Sequence, residues 1–586
     1  MDADIGWFDF VIVGAGSAGC VLAERLSACG CRKVLLLEAG GPGGNPLHRL
    51  PMLAARLFQS RRNNWYFHTE PQINLAGRRI FLPRGRMVGG SFVFNGAQYV
   101  RGHRYDFDHW HALGNRGWSF AEVLPYFKRL ERHQRGHDLF HGGDGPLRVE
   151  KLTEINPLSE AFLSASIQAG HGSNENFNAA SQDGFGVYDF NIEAGRRQTT
   201  AHTYLRPALG RPNLHVETRA AAHRILIEDG RASGVEYHAR GRIWRARAGR
   251  EVILCGGSIN SPKLLMLSGI GDAGALRRLG IQVQQDLPGV GANLQDHLTV
   301  SIGYRCTRAV SLVGTLRADR LALALVEAVV AGRGPLSRSP LEAGGFLRTR
   351  AGLPAPDCQV VFVPIHARGG RQVWFPGESV GDSFALRVWP SRPESRGFVA
   401  LRSPDPDESP IIDPRFLSAE SDLVVTRAGL RALRRIVAQP AFDPYRGEEF
   451  DPGVDWTTDH GIDEHIRATA TTGHHTCGTA RMGHDPLAVV DDRLRVHGIR
   501  GLRVADASVM PTMVSANTNA ATIMIGEKAA DLVLERPPLA TVPLPETAPP
   551  PEPRTMRAAV AVGRTPAPRL TMAGGAATSA PARGPA

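Results

Sequence analysis

A histidine pair near the C-terminal end of the chain is the first candidate for catalysis. The segment Gly473–Gly483 reads GHHTCGTARMG and carries His474, His475 and Cys477. A histidine can act as a general base at neutral pH because an imidazole titrates there. A metal site is disfavoured, since no second group of candidate ligands has the spacing that zinc requires. The segment alone leaves a purely structural histidine open.

Two asparagines lie further along the chain, at the start of a predicted helix. Asn517 and Asn519 belong to the segment Gly501–Asp531, in which a helix is predicted over Asn519–Leu532. Asparagine is favoured at helix N-caps, because its side chain accepts hydrogen bonds from the first free N–H groups. The segment alone does not decide between capping and a role in a site for either residue.

A dinucleotide site is predicted at the other end of the chain. A short apolar run predicts a buried strand, glycines follow it, and a helix, a second strand and an acid come next. The first strand is Phe8–Val13 and the glycines are Gly14, Gly16 and Gly19. The helix is Ser17–Cys29, the second strand is Lys33–Leu37 and the acid is Glu38. This order is typical of a dinucleotide-binding βαβ unit, although an ordinary βαβ turn can also need glycines.

The glycines and the acid of this unit each have a physical role in nucleotide binding. Gly14 permits the tight turn out of the strand, Gly16 lets the backbone approach a pyrophosphate, and Gly19 lets the helix pack on the sheet. The pyrophosphate would lie at the positive N-terminus of the helix. Glu38 is placed to bind a ribose hydroxyl, and its charge disfavours the 2′-phosphate of NADP. These residues do not distinguish FAD from NAD.

A second glycine cluster is a further candidate for ligand contact. The stretch Pro83–Gly102 reads PRGRMVGGSFVFNGAQYVRG, and its glycines are too dense for regular structure. Such a loop suits close approach of the backbone to a planar or phosphate-bearing ligand, and a structural hinge is the alternative. Arg250–Gly257 followed by Ser261–Leu267 predicts a second strand–glycine–helix unit beside the first.

The composition is that of a globular protein. The chain has 586 residues, of which 42% are hydrophobic and 21% charged, and it is long enough for two or more domains. The +11 net charge comes from scattered arginines without a basic block, so no nucleic-acid partner is expected. No apolar run is long enough to span a bilayer and the N-terminus does not resemble a signal peptide. We therefore expect a cytoplasmic protein, with peripheral association at the inner face of an anionic membrane as the alternative.

The cysteines do not suggest a disulfide framework, because there are only seven in a chain of this length. Cys29 and Cys31 are too close in sequence for an ordinary bridge. We expect both to be free thiols.

The later part of the chain changes character twice. Residues from about 300 to 480 mix alternating strands, such as Gln359–Val363 and Phe398–Leu401, with a helix over Ser421–Val437. This mixture predicts a second domain built on an antiparallel sheet. After Pro537 the chain is rich in Pro, Ala and Arg and poor in large apolar residues, so disorder is predicted for residues 537–586.

The ordered set of motifs resembles the glucose–methanol–choline (GMC) flavoprotein oxidoreductases over nearly all of residues 8–535. The glycine fingerprint matches, and the first family signature matches except that Phe92 and Val93 replace its usual small residues. The matching segments after the fingerprint are PRGRMVGGSFVFNG (Pro83–Gly96), GGSINSPKLLMLSGIG (Gly256–Gly271), LPGVGANLQDH (Leu287–His297), RPESRGFVALRSPDP (Arg392–Pro406), GTARMG (Gly478–Gly483) and DASVMPTMVSANTNAATIMIGEKAAD (Asp506–Asp531).

The resemblance implies the GMC fold, an α/β architecture with a Rossmann-like FAD-binding domain and an antiparallel-sheet α+β substrate domain. The implied parts are an FAD-binding region at 8–300, a substrate-binding domain at 301–484 and a C-terminal return to the FAD domain at 485–536. FAD is the implied cofactor and no metal is expected. The FAD should be non-covalent, because Phe94 stands where some members have a histidine bonded to it. The implied FAD-binding residues are Gly14, Gly16, Ser17, Ala18, Gly19, Glu38, Ala39, Val88, Gly90, Ser91, Asn95, Gly96, Ala97, Ala222, Asp506, Ala507 and Asn519.

The resemblance also implies a reaction. His475 stands at the family's catalytic base position, and Asn517 stands where members carry a second histidine or an asparagine. The implied activity is oxidation of a primary alcohol to an aldehyde by hydride transfer to flavin N5, as in choline dehydrogenases. The expected electron acceptor is a quinone or another acceptor of a respiratory chain. An oxidase that uses O2, and a lyase or photodecarboxylase of the same fold, are the alternatives.

Overall fold

The computed structural model describes residues 3–316, 318–366 and 381–544. The first of its two large sheets is built on the predicted βαβ unit, whose strands are Ala3–Val13 and Val34–Glu38. Both strands are paired in parallel, and all five residues of the second are buried. Continuous apolar runs form such strands because helices cover both faces of a parallel sheet.

The first sheet has seven strands, of which the last comes from the far end of the chain. Leu502–Val504 pairs in parallel with Arg242–Leu254, which in turn pairs in parallel with Ala3–Val13. The second strand–glycine–helix unit therefore lies beside the first, as predicted. The strand order is Leu214–Thr218, Val34–Glu38, Ala3–Val13, Arg242–Leu254, Arg231–Ala239 and Ala221–Glu228, with Leu502–Val504 paired to the C-terminal end of Arg242–Leu254.

The second sheet has seven antiparallel strands and confirms the predicted antiparallel-sheet domain. Its strand order is Arg446–Asp451, Leu298–Cys306, Ser383–Pro390, Cys358–Val363, Ala343–Leu347 and Gly184–Val187, with Thr471–Thr472 added to Leu298–Cys306. Gly184–Val187 lies within the 8–300 region, so the chain enters the second sheet well before residue 301. Long-range pairing of this kind leaves no local signal in the sequence.

Alternation along the strands of the second sheet gives it two different faces. Val360, Leu386 and Val388 belong to the core under the helix Glu420–Val437, whereas Val361 and Val363 belong to a smaller cluster on the opposite face. Successive side chains of a strand point to opposite faces, which explains this separation. The second face is the one that lines the site described below.

The remaining elements surround these sheets. The α-helices are Ser17–Ser27, Arg104–Ala112, Phe120–Leu130, Pro157–Gln168, Arg206–Ala208, Gly257–Leu267, Ala273–Arg278, Ala318–Ala331, Glu420–Val437, Asp459–Thr469 and Thr518–Val533. The minor strands are Phe67–His68, Phe81–Leu82, Glu131–His133, Leu147–Lys151, Asp189–Phe190, Ile192–Glu193, Arg196–Arg197, Ile270–Gly271, Gln285–Asp286, Phe398–Ala400 and Ile411–Asp413. Short 3₁₀ turns are Pro46–Arg49, Leu53–Gln59, Ile73–Leu75, Gly90–Val93, Leu312–Leu316, Pro335–Ser337, Pro440–Phe442 and Ala507–Val509, and Ala201–Leu205 is a π-helix.

The prediction of free thiols at Cys29 and Cys31 is wrong, because the two residues form a disulfide. Gly30 between them has a φ of 71°, in the left-handed region, and the chain reverses there. The two Cα atoms are consequently 5.3 Å apart, inside the range that a disulfide spans.

Only the start of the segment predicted to be disordered is described. Residues 537–544 have no regular secondary structure, but Leu539, Val542 and Leu544 pack against the core of the first sheet. Residues 545–586 lie outside the described part of the chain. Among the described residues, no helix combines the length and apolar character needed to cross a membrane.

Candidate active site

A cavity of about 460 Å³ runs from the glycine turn of the first sheet to the second face of the second sheet. A volume of this size is typical of a small-molecule or cofactor site. Most of the predicted site residues line it, and only Gly19 and Val88 do not. Those that do are Gly14, Gly16, Ser17, Ala18, Glu38, Ala39, Gly90, Ser91, Asn95, Gly96, Ala97, Ala222, His475, Asp506, Ala507, Asn517 and Asn519.

The glycine turn is tightly packed against neighbouring backbone. Gly14 has a φ of 105°, and a Cβ there would lie 2.5 Å from the Cys255 carbonyl oxygen. A Cβ on Gly19 would lie 1.9 Å from the Gly14 carbonyl oxygen. Gly19 thus serves the close approach of helix and strand, which is the role predicted for it, and for this reason it does not line the cavity.

Glu38 closes the second strand and is held by the backbone. Its carboxylate accepts hydrogen bonds from Ala15 N at 3.0 Å and Gly40 N at 2.8 Å. Burial raises the pKa of this carboxyl group. The side chain lines the cavity at the end of the strand, where a ribose hydroxyl is expected.

The second glycine loop lines the cavity with small and polar residues and with the rings of Phe92 and Phe94. Asn95 accepts a hydrogen bond from the Arg197 guanidinium at 2.7 Å and another from Ala97 N at 2.9 Å. Phe92 is buried in the core of the first sheet, and Val93 packs in a separate small cluster. Val93 is therefore accommodated away from the cavity, whereas Phe92 also lines it.

The C-terminal segment joins the cavity beside the glycine turn. Asp506 accepts hydrogen bonds from Gly257 N at 2.8 Å and from the Ser261 hydroxyl at 2.6 Å. Asn519 accepts a hydrogen bond from the Ser17 hydroxyl at 2.7 Å. Its Nδ2 atom is buried and has no hydrogen-bond partner among the described residues. A bound cofactor with acceptor atoms fits this donor, because buried polar groups are normally paired.

Asn517 does not cap the helix with its side chain, which decides one of the alternatives that the sequence left open. It stands at the N-cap position of Thr518–Val533 but makes no capping hydrogen bond. Instead its Nδ2 atom lies 3.1 Å from His475 Nε2, and its Oδ1 atom lies 3.4 Å from Gln359 Nε2. The amide is thereby oriented with its NH2 group toward the imidazole.

A chain of hydrogen bonds orients the His475 imidazole. His297 Nε2 lies 3.0 Å from the Ser391 carbonyl oxygen, which can only accept, so His297 Nε2 carries the proton. In a neutral His297 the Nδ1 atom is then an acceptor, and it lies 2.9 Å from His475 Nδ1. His475 Nδ1 must therefore donate, which leaves a lone pair on His475 Nε2 facing the Asn517 amide and the cavity.

The electrostatics keep both imidazoles neutral. Burial lowers the pKa of His297 to about 4. Burial, followed by the neighbouring His297, His474 and Arg84, lowers the pKa of His475 well below its usual value. A neutral His475 whose Nε2 lone pair faces the Asn517 amide and the cavity can accept a proton, which is what general-base catalysis requires.

The backbone of the histidine segment is fixed by buried polar groups. Asp296 accepts a hydrogen bond from His475 N at 2.8 Å and another from the Thr472 hydroxyl. The Arg84 guanidinium donates to the His474 carbonyl oxygen at 3.1 Å and to the Thr476 hydroxyl. His474 has a φ of 66°, and its ring packs at a centroid distance of 5.3 Å from Phe58.

Several residues of the site were not predicted from the sequence. His297 ends a motif that carries the family resemblance, so the sequence drew attention to this residue but did not indicate its role. Asp296 belongs to the same motif as His297. Gln359, Arg387 and Trp389 carried no signal, because each reaches the site through the long-range packing of the second sheet. Within the described residues, no group of three or more His, Cys, Asp or Glu side chains could hold a metal ion.

Comparison with known proteins places the chain in a family. The N-terminal and C-terminal parts of the GMC oxidoreductase family match residues 8–299 and 393–526. The mitochondrial choline dehydrogenase of Homo sapiens is 45% identical over 542 residues, covering 91% of this chain and 90% of that protein. The oxygen-dependent choline dehydrogenase of Brucella suis biovar 1 is 44% identical over 536 residues, covering 91% and 96%.

Solved structures agree with the fold. Pyridoxine 4-oxidase from Mesorbium loti superposes with a TM-score of 0.82 at 32% identity, covering 90% of this chain and 99% of the other. A formate oxidase variant of Aspergillus oryzae superposes with a TM-score of 0.85 at 28% identity, covering 91% and 99%. Both parts of the family match this chain, and the relatives above cover nine tenths of it. The chain therefore belongs to the GMC oxidoreductase family and is an FAD-dependent enzyme that oxidises alcohols, similar to the choline dehydrogenases.

Proposed function

We propose that the enzyme oxidises a primary alcohol to an aldehyde, with His475 as the general base and Asn517 as the hydrogen-bond donor to the reacting oxygen. When bound, FAD would supply the hydride acceptor, flavin N5. The observation that carries the proposal is the run of hydrogen bonds from the Ser391 carbonyl oxygen through His297 to His475, which leaves the lone pair of His475 Nε2 toward the cavity.

The two side chains have different roles toward the substrate hydroxyl. His475 Nε2 accepts the hydroxyl proton as negative charge develops on the oxygen, and the Asn517 NH2 group donates a hydrogen bond to that oxygen. The 3.1 Å separation of the two nitrogens places a donor and an acceptor side by side at one point of the cavity. General-base assistance of this kind contributes about 10²–10⁴-fold to a rate.

The remaining assignments concern the cofactor. We assign the FAD pyrophosphate to the turn at Gly14 and Gly16, and the adenosine ribose to Glu38. We also infer that the FAD is held without a covalent bond at position 94, because the phenylalanine there has no nucleophilic atom. Acid precipitation of the protein tests this inference: FAD should appear in the supernatant, and flavin absorbance in the pellet would contradict it.

We propose a quinone or another acceptor of a respiratory chain as the electron acceptor, reached from the cytoplasm or from the inner face of a membrane. An oxidase is the second candidate, and the comparisons favour keeping it, because one relative is named an oxygen-dependent dehydrogenase and two neighbouring structures are named oxidases. After anaerobic reduction by an alcohol, the flavin should be reoxidised faster by a soluble quinone analogue than by air. Faster reoxidation in air would favour the oxidase.

A panel of alcohols under anaerobic conditions tests the reaction class. Loss of flavin absorbance on addition of at least one primary alcohol, with formation of the aldehyde, is the expected result. If no alcohol reduced the flavin, the lyase or light-driven decarboxylase activities of the same fold would become the better hypothesis.

A further inference from the structure

One arginine interrupts an apolar wall of the cavity. Arg387 lies opposite Val361 in the pairing of the strands Ser383–Pro390 and Cys358–Val363. Val361, Val363 and Trp389 line the cavity on the same face of the second sheet. Arg387 therefore presents a guanidinium among the apolar and aromatic side chains of Val361, Val363 and Trp389.

No protein carboxylate neutralises this guanidinium within residues 3–316, 318–366 and 381–544. Burial lowers the pKa of Arg387 to about 10, so the group remains charged at neutral pH. A charge removed from water is unfavourable unless it is paired and hydrogen-bonded. Arg84, which also lines the cavity, differs because its guanidinium is already bonded to the His474 carbonyl oxygen and the Thr476 hydroxyl.

The carboxylates that line the described cavity are engaged elsewhere. Glu38 is bonded to backbone N–H groups beside the glycine turn, and Asp506 is bonded to Gly257 and Ser261. Asp407 is exposed and faces His223 at 3.8 Å. None of the three is hydrogen-bonded or ion-paired to Arg387. The negative charge that would satisfy Arg387 is therefore best supplied by a ligand.

Arg387 lies within electrostatic reach of the histidine pair, because its charge contributes, after burial and Arg84, to lowering the pKa of His474. The Trp389 ring is 6.2 Å from the His475 ring, centroid to centroid. Arg387 precedes Trp389 by two residues on the same face, a separation of about 7 Å along a strand. A short carbon chain can bridge such a distance, with a hydroxyl at one end and a charged group at the other.

We propose that Arg387 binds a carboxylate of the substrate, so that the enzyme oxidises short hydroxy acids whose alcohol group lies at His475. This inference rests on the proposed function for the position of the hydroxyl. The planar guanidinium matches a carboxylate with two parallel hydrogen bonds. A quaternary ammonium alcohol such as choline would instead bring a second positive charge beside Arg387, which disfavours its binding.

Two substrates that differ only in charge test the proposal in the holoenzyme. Flavin reduction is measured anaerobically with γ-hydroxybutyrate, with its neutral isostere γ-hydroxybutyramide, and with choline. The acid should have a kcat/KM roughly 10- to 150-fold above that of the amide, since a hydrogen bond to a charged group contributes about that factor. A preference for the amide or for choline would overturn the proposal.

Variants show whether Arg387 is the residue responsible for the preference. Arg387→Gln should bring the acid-to-amide ratio close to one, and Arg387→Lys should retain part of it because the charge remains. Arg431→Gln is the matched control, since Arg431 is paired with Asp459 away from the cavity and should keep the wild-type ratio. An unchanged ratio in Arg387→Gln would contradict the assignment.

A binding measurement separates this inference from the proposed reaction. Butyrate lacks the hydroxyl, so its binding does not depend on His475 acting as a base. It should perturb the absorbance of the oxidised flavin and compete with alcohols, whereas butyramide should bind at least 10-fold more weakly. If butyrate bound but no alcohol reduced the flavin, the proposed function would fail while the anion site stood. Equal binding of butyrate and butyramide would refute the anion site itself.

Discussion

Replacement of His297 tests how the base is oriented. In His297→Leu the His475 Nδ1–H group loses its acceptor and becomes a buried donor without a partner, at a cost of about 1–3 kcal/mol. The alternative is transfer of that proton to Nε2, which would then face the Asn517 NH2 group at 3.1 Å as a second donor. Either outcome reduces the fraction of His475 that can accept a proton. A free-energy cost of about 1–3 kcal/mol corresponds to a roughly 5- to 150-fold slower flavin reduction.

The measurement is anaerobic stopped-flow reduction of the bound flavin at saturating alcohol, with the flavin spectrum and thermal unfolding as controls for folding. His297→Asn is the matched variant, because its side-chain oxygen can take the place of the imidazole Nδ1 acceptor. It should recover much of the rate that His297→Leu loses. Reduction by His297→Leu within about threefold of the wild-type rate, a change smaller than the loss of one hydrogen bond, would refute the orienting role.

Three further results are expected. Asn517→Ala should slow flavin reduction by about 10²-fold or more, the usual effect of removing one donor to a developing oxyanion; a change confined to KM would contradict that role. Burial lowers the pKa of His475 well below 6.5, so the base stays neutral as the pH falls through 6.5. The rate of flavin reduction should therefore not decrease near that pH. A decrease centred at pH 6.5 would contradict the lowered pKa of His475. Gly40→Ala places a Cβ 1.9 Å from the Arg86 carbonyl oxygen and should destabilise folding by about 1–3 kcal/mol or more in denaturant unfolding, whereas Gly41→Ala, with open space around it, is the matched neutral control.

The parts of the fold that could be predicted are those with a local signature. The βαβ unit could be predicted because apolar runs, glycine spacing and a terminal acid all lie within one stretch. The structure differs from the prediction only at the ends of the strands and at the end of the helix, which stops at Ser27 instead of Cys29. Ser119 and Glu122 form a capping box at the start of the helix Phe120–Leu130, a motif that is equally local in the sequence. Local patterns failed at Cys29 and Cys31, where sequence spacing argued against a bridge that the turn at Gly30 permits.

The parts that could not be predicted depend on contacts between distant segments. His297 and His475 are 178 residues apart, and no periodicity in the chain indicates that their rings meet. In the sequence, Arg387 is a single arginine within an apolar segment, and nothing there indicates a role in a site. Its importance emerges only when the register of the second sheet places it on the cavity face and away from any described carboxylate.

The most direct test of the catalytic assignment is flavin reduction by His475→Ala. The variant should retain bound FAD, because His475 is separate from the glycine turn, yet its rate of anaerobic reduction by a primary alcohol should fall by about 10²–10⁴-fold. The inactive variant should also show the wild-type flavin spectrum. Reduction at the wild-type rate would contradict the role of His475 as the base.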